Sequence, residues 1–304
     1  IGHSTGGLDA RLLLTPAVDL ATAIDVEIYA QRVRSSLSVA TPHGGAPIAS
    51  FFTSLLGRKL LQILSVLTMA ALRNGQLPLS VWTRVAGLLA LPSSIADGAG
   101  STLATQIYRQ LLQDFNPERR AQVEELLSEV ERDQSLLTQL TVETMDIFNA
   151  AAGDRATVLY GSVVTSAHQP DLATSLQIGL NLTEQAQQAF YYNLSRLATG
   201  YQFSAPNAEF RRAMKRAFGE VPDSRANDGI VPTLSQPWGR CVALARADHL
   251  DIIGHYTDAS DEGNEEPQYD WLTTRSNFRS PQFHEVWLRV VDFMAEAEQR
   301  AGEA

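Results

Sequence analysis

Apolar positions along the chain fall into five zones of different spacing. A Gly-rich turn at residues 2–7 runs into a short helical pattern that closes at Pro16. Residues 33–41 hold a compact apolar run, Leu37-Ser38-Val39-Ala40, ended by Thr41-Pro42-His43-Gly44-Gly45; run and breaker together predict a buried strand and a turn. From about residue 48 to 152 the spacing is helical almost throughout, with Leu-rich stretches punctuated by Pro78, Pro92 and Pro117. Leu126, Leu127, Val130, Leu136, Leu137 and Leu140 repeat there at helical intervals. Strand character returns at Thr157-Val158-Leu159-Tyr160-Gly161-Ser162-Val163-Val164, and a second helical insert covers residues 172–217. The last zone contains Asn227-Asp228-Gly229-Ile230-Val231-Pro232, a strand through Val242-Ala243-Leu244, and Asp248-His249-Leu250-Asp251. After an acidic loop, an amphipathic helix is predicted to bury Phe283, Val286, Trp287, Val290 and Met294. No internal repeat is evident.

Composition narrows the function classes. Hydrophobic residues make up 44% of the 304 and charged residues 19%, the profile of a globular chain with a substantial core. The net charge of −10 argues against nucleic acid as a partner, which calls for a basic face. Cys241 is the single cysteine, so neither an intrachain disulfide nor a Cys-rich metal site is possible; one cysteine fits a cytosolic protein without excluding a secreted one. No signal-peptide pattern is visible. The most apolar stretch, residues 60–72, is shorter than the roughly 17–25 residues a membrane span needs and contains Gln62, Ser65 and Thr68.

The sharpest chemical signal is Gly2-His3-Ser4-Thr5-Gly6-Gly7, a G-x-S-x-G nucleophile elbow. A serine on a tight strand-to-helix turn needs small residues two positions to either side, which Gly2 and Gly6 supply. The turn presents the Ser4 hydroxyl at a helix N-terminus, where the Thr5 N–H and the helix dipole favour an oxyanion. Leu8 to Leu14 make a suitable helix start.

Serine becomes nucleophilic only with a base, and the base needs an orienting acid. On this scaffold the chain order is Ser, then Asp or Glu, then His. Among six histidines, His3 reads as a neighbour of the nucleophile, His43 as a residue of the cleft rim, and His168 and His284 as surface or packing residues. His249 follows a strand and short turn about 20 residues after Asp228, which also follows a strand; such strand ends collect the reactive groups of open α/β sheets. His255 is the rival base and Asp171 the rival acid, while Asp248 and Asp251 stand too close to His249 in sequence to be favoured as its orienters. Asn227-Asp228-Gly229 is also a good turn on its own account.

Five segments in the right order resemble the α/β-hydrolase lipases, especially the bacterial triacylglycerol lipases of the Burkholderia and Pseudomonas kind. They are residues 2–11, Thr41-Pro42-His43-Gly44-Gly45, Leu140-Thr141 with Phe148-Asn149, Asn227-Asp228-Gly229-Ile230-Val231 and His249-Leu250-Asp251. The resemblance implies an α/β-hydrolase fold, seen from the nucleophile elbow onward, with large helical lid insertions. It implies a hydrolase core in residues 1–47, a helical lid in 48–152, and core again in 153–304, interrupted by an insert at 172–217 that matches nothing in those lipases. It assigns Ser4 as nucleophile, Asp228 as acid, His249 as base and Thr5 as an oxyanion donor. Those lipases carry further strands before the elbow, and their second oxyanion donor with them; the sequence therefore resembles a fragment. Some of them hold a structural calcium through the aspartate two residues after the histidine, a position Asp251 occupies, although no second carboxylate is evident; no other cofactor is implied.

The activity expected is hydrolysis of a carboxylic ester with an apolar acyl chain through an acyl-enzyme. The partners expected are a small ester or lipid, and transiently a lipid surface touched by the helical lid. An acyltransferase or thioesterase would use the same three residues, and a non-catalytic lipid- or partner-binding protein would need none of them. Asn181-Leu182-Thr183 and Asn193-Leu194-Ser195 fit a glycosylation pattern and read as chance matches.

Overall fold

The computed structural model describes residues 1–16, 18–74, 79–90, 101–113, 116–132, 135–169, 181–256, 270, 272, 274 and 276–303. Asp171, the rival acid, lies outside them, as do Pro78 and Pro92. Four parallel strands, β1 (Gly2–His3), β2 (Ser35–Val39), β3 (Leu159–Thr165) and β4 (Arg240–Ala245), form one sheet in the order in which they occur along the chain. Parallel neighbours require a crossover between them. The crossovers carry helices α1 (Thr5–Leu14) and α2 (Val26–Ala30) between β1 and β2, then α3 (Pro47–Phe52), α4 (Leu55–Asn74), α5 (Leu79–Leu89), α6 (Ser101–Gln113), α7 (Pro117–Arg132), α8 (Ser135–Gln139) and α9 (Val142–Ala151) between β2 and β3. Helices α10 (Leu182–Leu197) and α11 (Ala208–Phe218) lie between β3 and β4, and α12 (Ser280–Glu303) ends the described chain.

Burial on both faces explains why the strands read as short apolar runs. Leu37, Val39, Val163, Ala243 and Ala245 pack on one face against Val286, Val290 and Phe293 of α12. The alternate positions Val164 and Leu244 face Phe210, Met214 and Phe218 of α11, and Tyr160 packs with Leu14 and Ala30 of α1 and α2. The final helix thus buries Val286, Val290, Phe293 and Ala297, whereas Met294 is 40% exposed. The expectation for Met294 fails because the true spacing selects its neighbour Phe293. A parallel sheet with helices on both faces and long helical insertions is an α/β architecture.

The helices after β2 build a core of their own. Leu60, Ile63 and Val66 of α4, Trp82, Val85 and Leu88 of α5, Ile107 and Leu111 of α6, and Phe190 and Leu194 of α10 form one apolar cluster. Trp82 meets Phe190 edge-on at 5.4 Å. Ile230 and Leu250, each close in sequence to a candidate site residue, pack against this cluster. Among the described residues no helix is long and apolar enough to cross a membrane. Asn193 is buried within α10 and donates to the Ala189 carbonyl, in keeping with a chance match to the glycosylation pattern.

Three of the segments singled out in the sequence meet in one buried cluster. Arg11 on α1 donates from Nη1 to His43 Nδ1 (3.1 Å) and Asn149 Oδ1 (2.9 Å), and from Nη2 to the Ala152 carbonyl. Its guanidinium lies 3.4 Å from the centre of the Trp238 ring. His43 donates its Nε2 hydrogen bond to Ser38 Oγ, and Asn149 Nδ2 donates to the His43 carbonyl. Burial, then the adjacent Arg11 charge, holds His43 well below the usual imidazole range, so it stays neutral. His43 is buried, with its ring held by Arg11, and it borders a cavity of about 320 Å³ together with Gly44, Asn149 and Trp238. This cluster pins the elbow helix to the base of the helical insertion. Arg11→Met is expected to lower stability by about 1–3 kcal/mol, since buried acceptors lose their donor. An unchanged midpoint in urea denaturation would rule that role out.

Candidate active site

Ser4 sits between β1 and α1 with φ 54° and ψ −129°, a left-handed backbone that a non-Gly residue rarely takes. Its N–H donates to the Val39 carbonyl at 2.9 Å, so the neighbouring strand holds the turn. A Cβ on Gly2 would come within 2.2 Å of the Gly6 carbonyl oxygen, and one on Gly7 within 2.1 Å of Thr41 Oγ1. A Cβ on Gly6 would meet nothing within 4 Å. The crowding expected at Gly2 and Gly6 thus falls at Gly2 and Gly7: Gly6 supplies a carbonyl that blocks position 2, but its own α-carbon faces open space. Thr5 is the first residue of α1, so its N–H has no partner within the helix.

Asp228 and His249 come together. Asp228 Oδ2 and His249 Nδ1 lie 2.9 Å apart, the carboxylate fully buried and the histidine 4% exposed. Asp228 Oδ1 accepts from the N–H groups of Ile230 (3.1 Å) and Val231 (2.8 Å), the turn chemistry legible in Asn-Asp-Gly. Oδ2 also accepts from the Thr165 hydroxyl at 2.7 Å. With the carboxylate as common acceptor, Nδ1 of His249 carries the hydrogen, which leaves Nε2 as the basic nitrogen. The backbone repeats the pairing: the His249 N–H donates to the Asp228 carbonyl at 3.0 Å.

His3 closes the circle. Its Nε2 donates to the His249 carbonyl at 2.9 Å, and the two rings lie 4.6 Å apart. Burial and the nearby His249 lower its pKa to about 4, which keeps it a neutral donor. The residue next to Ser4 is thereby bonded to the residue that bears the basic nitrogen. Among the described residues the Ser4 hydroxyl forms no hydrogen bond, and so none with His249. His255, the rival base, is half-buried beyond the turn Asp251–Ile253, with its N–H bonded to the Leu250 carbonyl. His168 and His284 are exposed.

Sequence reasoning missed a group of carboxylates behind His249. Ligand atoms of Asp248, Asp251 and Asp270 lie within 4.8 Å of one another. Asp248 Oδ1 accepts from the N–H groups of Leu250 and Asp251, and Asp251 Oδ2 from the Asp248 N–H and the Ser276 hydroxyl. Burial, with repulsion from Asp251 and Asp270, raises Asp248 well above the carboxylate range; burial raises Asp251 to about 6. Asp270 stands some 20 residues downstream in the acidic loop, where nothing in the sequence distinguishes it from its neighbours.

No model of a protein family matches the chain, and no curated protein matches it. Among solved structures, the chain is similar to lipase 1 from Pelosinus fermentans at 16% identity and a TM-score of 0.40, over 82% of this chain and 64% of that one. It is similar to EstA from Clostridium botulinum at 18% identity and a TM-score of 0.40, over 91% and 62%. The Staphylococcus hyicus lipase is similar at 13% identity and a TM-score of 0.43, over 98% and 70%. The chain spans less than two thirds of the length of the first two of these.

The elbow geometry makes opposite predictions for two glycines. Gly2→Ala is expected to cost at least roughly 1–3 kcal/mol through backbone overlap, and Gly6→Ala to be neutral or slightly stabilising within a helix. Equal melting temperatures for the two variants would contradict the packing described.

Proposed function

We propose that the chain carries the serine, acid and base of a carboxylic ester hydrolase acting on apolar acyl groups. The observation that carries this reading is the buried Asp228–His249 pair, tied by His3 to the strained turn that presents Ser4. In the mechanism this supports, Ser4 Oγ attacks the ester carbonyl and its proton passes to His249 Nε2. Asp228 keeps the imidazole in the required tautomer and stabilises the imidazolium. The Thr5 N–H supports the oxyanion. His249 then protonates the departing alcohol, leaving an acyl group on Ser4. Water, deprotonated by the same nitrogen, releases the acid and restores the hydroxyl.

The apolar cluster against which Ile230 and Leu250 pack, each close in sequence to a candidate site residue, supports an apolar acyl group. Leu103, Leu136 and Ile147, exposed on the helices between β2 and β3, support transient contact with a lipid surface.

The same reading includes a structural calcium. Asp248, Asp251 and Asp270 would hold it, since three converging carboxylates are a hard oxygen donor set, and the raised pKa values of Asp248 and Asp251 reflect the cost of holding charge there without a counter-ion. Bound there, the ion would neutralise the acids that flank His249 and fix its loop.

Ser4→Ala should lower turnover of p-nitrophenyl esters by roughly 10⁴-fold or more and abolish covalent labelling by a fluorophosphonate. Labelling that persists in the variant would refute Ser4 as nucleophile. Calcium should raise the melting temperature of the wild type above that in chelator, and Asp251→Asn should remove the difference. Identical melting in calcium and chelator would exclude the ion.

A further inference from the structure

Two polar side chains outside the serine, acid and base converge on Asp228 from different elements. Thr165 is the last residue of β3, and Gln236 follows the short 3-10 turn Thr233–Ser235; both are 0% exposed, like Asp228 itself. Strand pairing explains why they meet. The last residue of β2 paired with β3 is Val39, opposite Val163, and Ala40 donates its N–H to the Val163 carbonyl before the chain turns away with φ 49°. Backbone groups alternate sides along a strand, so the N–H and C=O of Thr165 point to the side that β2 has vacated. The Gln236 amide takes the place of the missing strand. Its Oε1 accepts from the Thr165 N–H at 2.7 Å, and its Nε2 donates to the Thr165 carbonyl at 3.1 Å. The Thr233 hydroxyl donates to the same carbonyl at 3.0 Å.

So anchored, Thr165 directs its hydroxyl at Asp228 Oδ2 at 2.7 Å, the oxygen that binds His249 Nδ1. Gln236 Oε1 lies 3.1 Å from the same hydroxyl, but the shorter contact and the anionic acceptor take the single proton. Gln236 Nε2 reaches Oδ2 at 3.4 Å. We propose that Thr165 and Gln236 are positioning residues: Gln236 completes the truncated end of β3, and Thr165 fixes the carboxylate oxygen that orients His249. This rests on the reading of Asp228 and His249 as acid and base. Neither side chain needs to touch substrate, so their effect falls on kcat and on the His249–Asp228 bond, not on KM.

The test uses the full chain with Thr165→Val, which keeps the shape and removes the hydroxyl, and Thr165→Ser, which restores it. The first readout is the downfield proton resonance of the His249 imidazole N–H, assigned by its loss in Asp228→Asn. It should move or broaden in Thr165→Val and return in Thr165→Ser. In ester hydrolysis, Thr165→Val should lower kcat about ten-fold or more with KM within about two-fold, and Thr165→Ser should recover most of it. Gln236→Met should follow Thr165→Val. A resonance and kcat unchanged in folded Thr165→Val would overturn the proposal, as would failure of Thr165→Ser to recover either. A wild type with no Ser4-dependent turnover would defeat the esterase reading alone, and the resonance would still decide the role of Thr165.

Discussion

The structure turns on a carboxylate buried where water cannot reach it. A charge in that position is tolerated only if donors surround it. Asp228 meets the requirement with two backbone N–H groups, a hydroxyl and an imidazole, contributed by three separate stretches of chain. Satisfying one side chain therefore fixes the end of β3, the turn after it and the loop after β4 relative to one another. The imidazole gains its orientation as a by-product of that demand.

The same economy operates in the backbone of His249. Its N–H is held by the Asp228 carbonyl and its own carbonyl by His3, so His249 is fixed between Asp228 and the turn at Ser4. Directional bonds of this kind reduce the reorganisation a reaction requires. The strained turn at Ser4 persists because strand pairing through Val39 and the close approach of Gly2 to Gly6 leave it no relaxed alternative.

Those parts of the site that depend on neighbours in sequence were legible. The elbow is a local turn, Asn-Asp-Gly declares its own Asx geometry, and strand and helix periods follow from burial on one or both faces. What could not be read depends on residues distant in sequence. Gln236 stands in for a strand only because β2 ends two residues before β3 does. His43 is buried against an arginine on another element, and Asp248, Asp251 and Asp270 form a group only in the folded chain. Met294 and Phe293 are adjacent on the same helix, and only the angle of that helix across the sheet chooses between them. Gly6 was misread because a sequence motif marks where a small residue occurs, not which atom would be struck.

Both helical insertions leave from strand ends and return to the next strand in order. Lengthening, shortening or exchanging such an excursion need not shift the hydrogen-bond ladder beneath it, because each ladder is set by its own immediate partners. The hydrogen-bonded cluster around Asp228 and the inserted helices can therefore diverge at different speeds. A lineage could remodel or even replace whole inserted helices while the strand ladder beneath them stays nearly still.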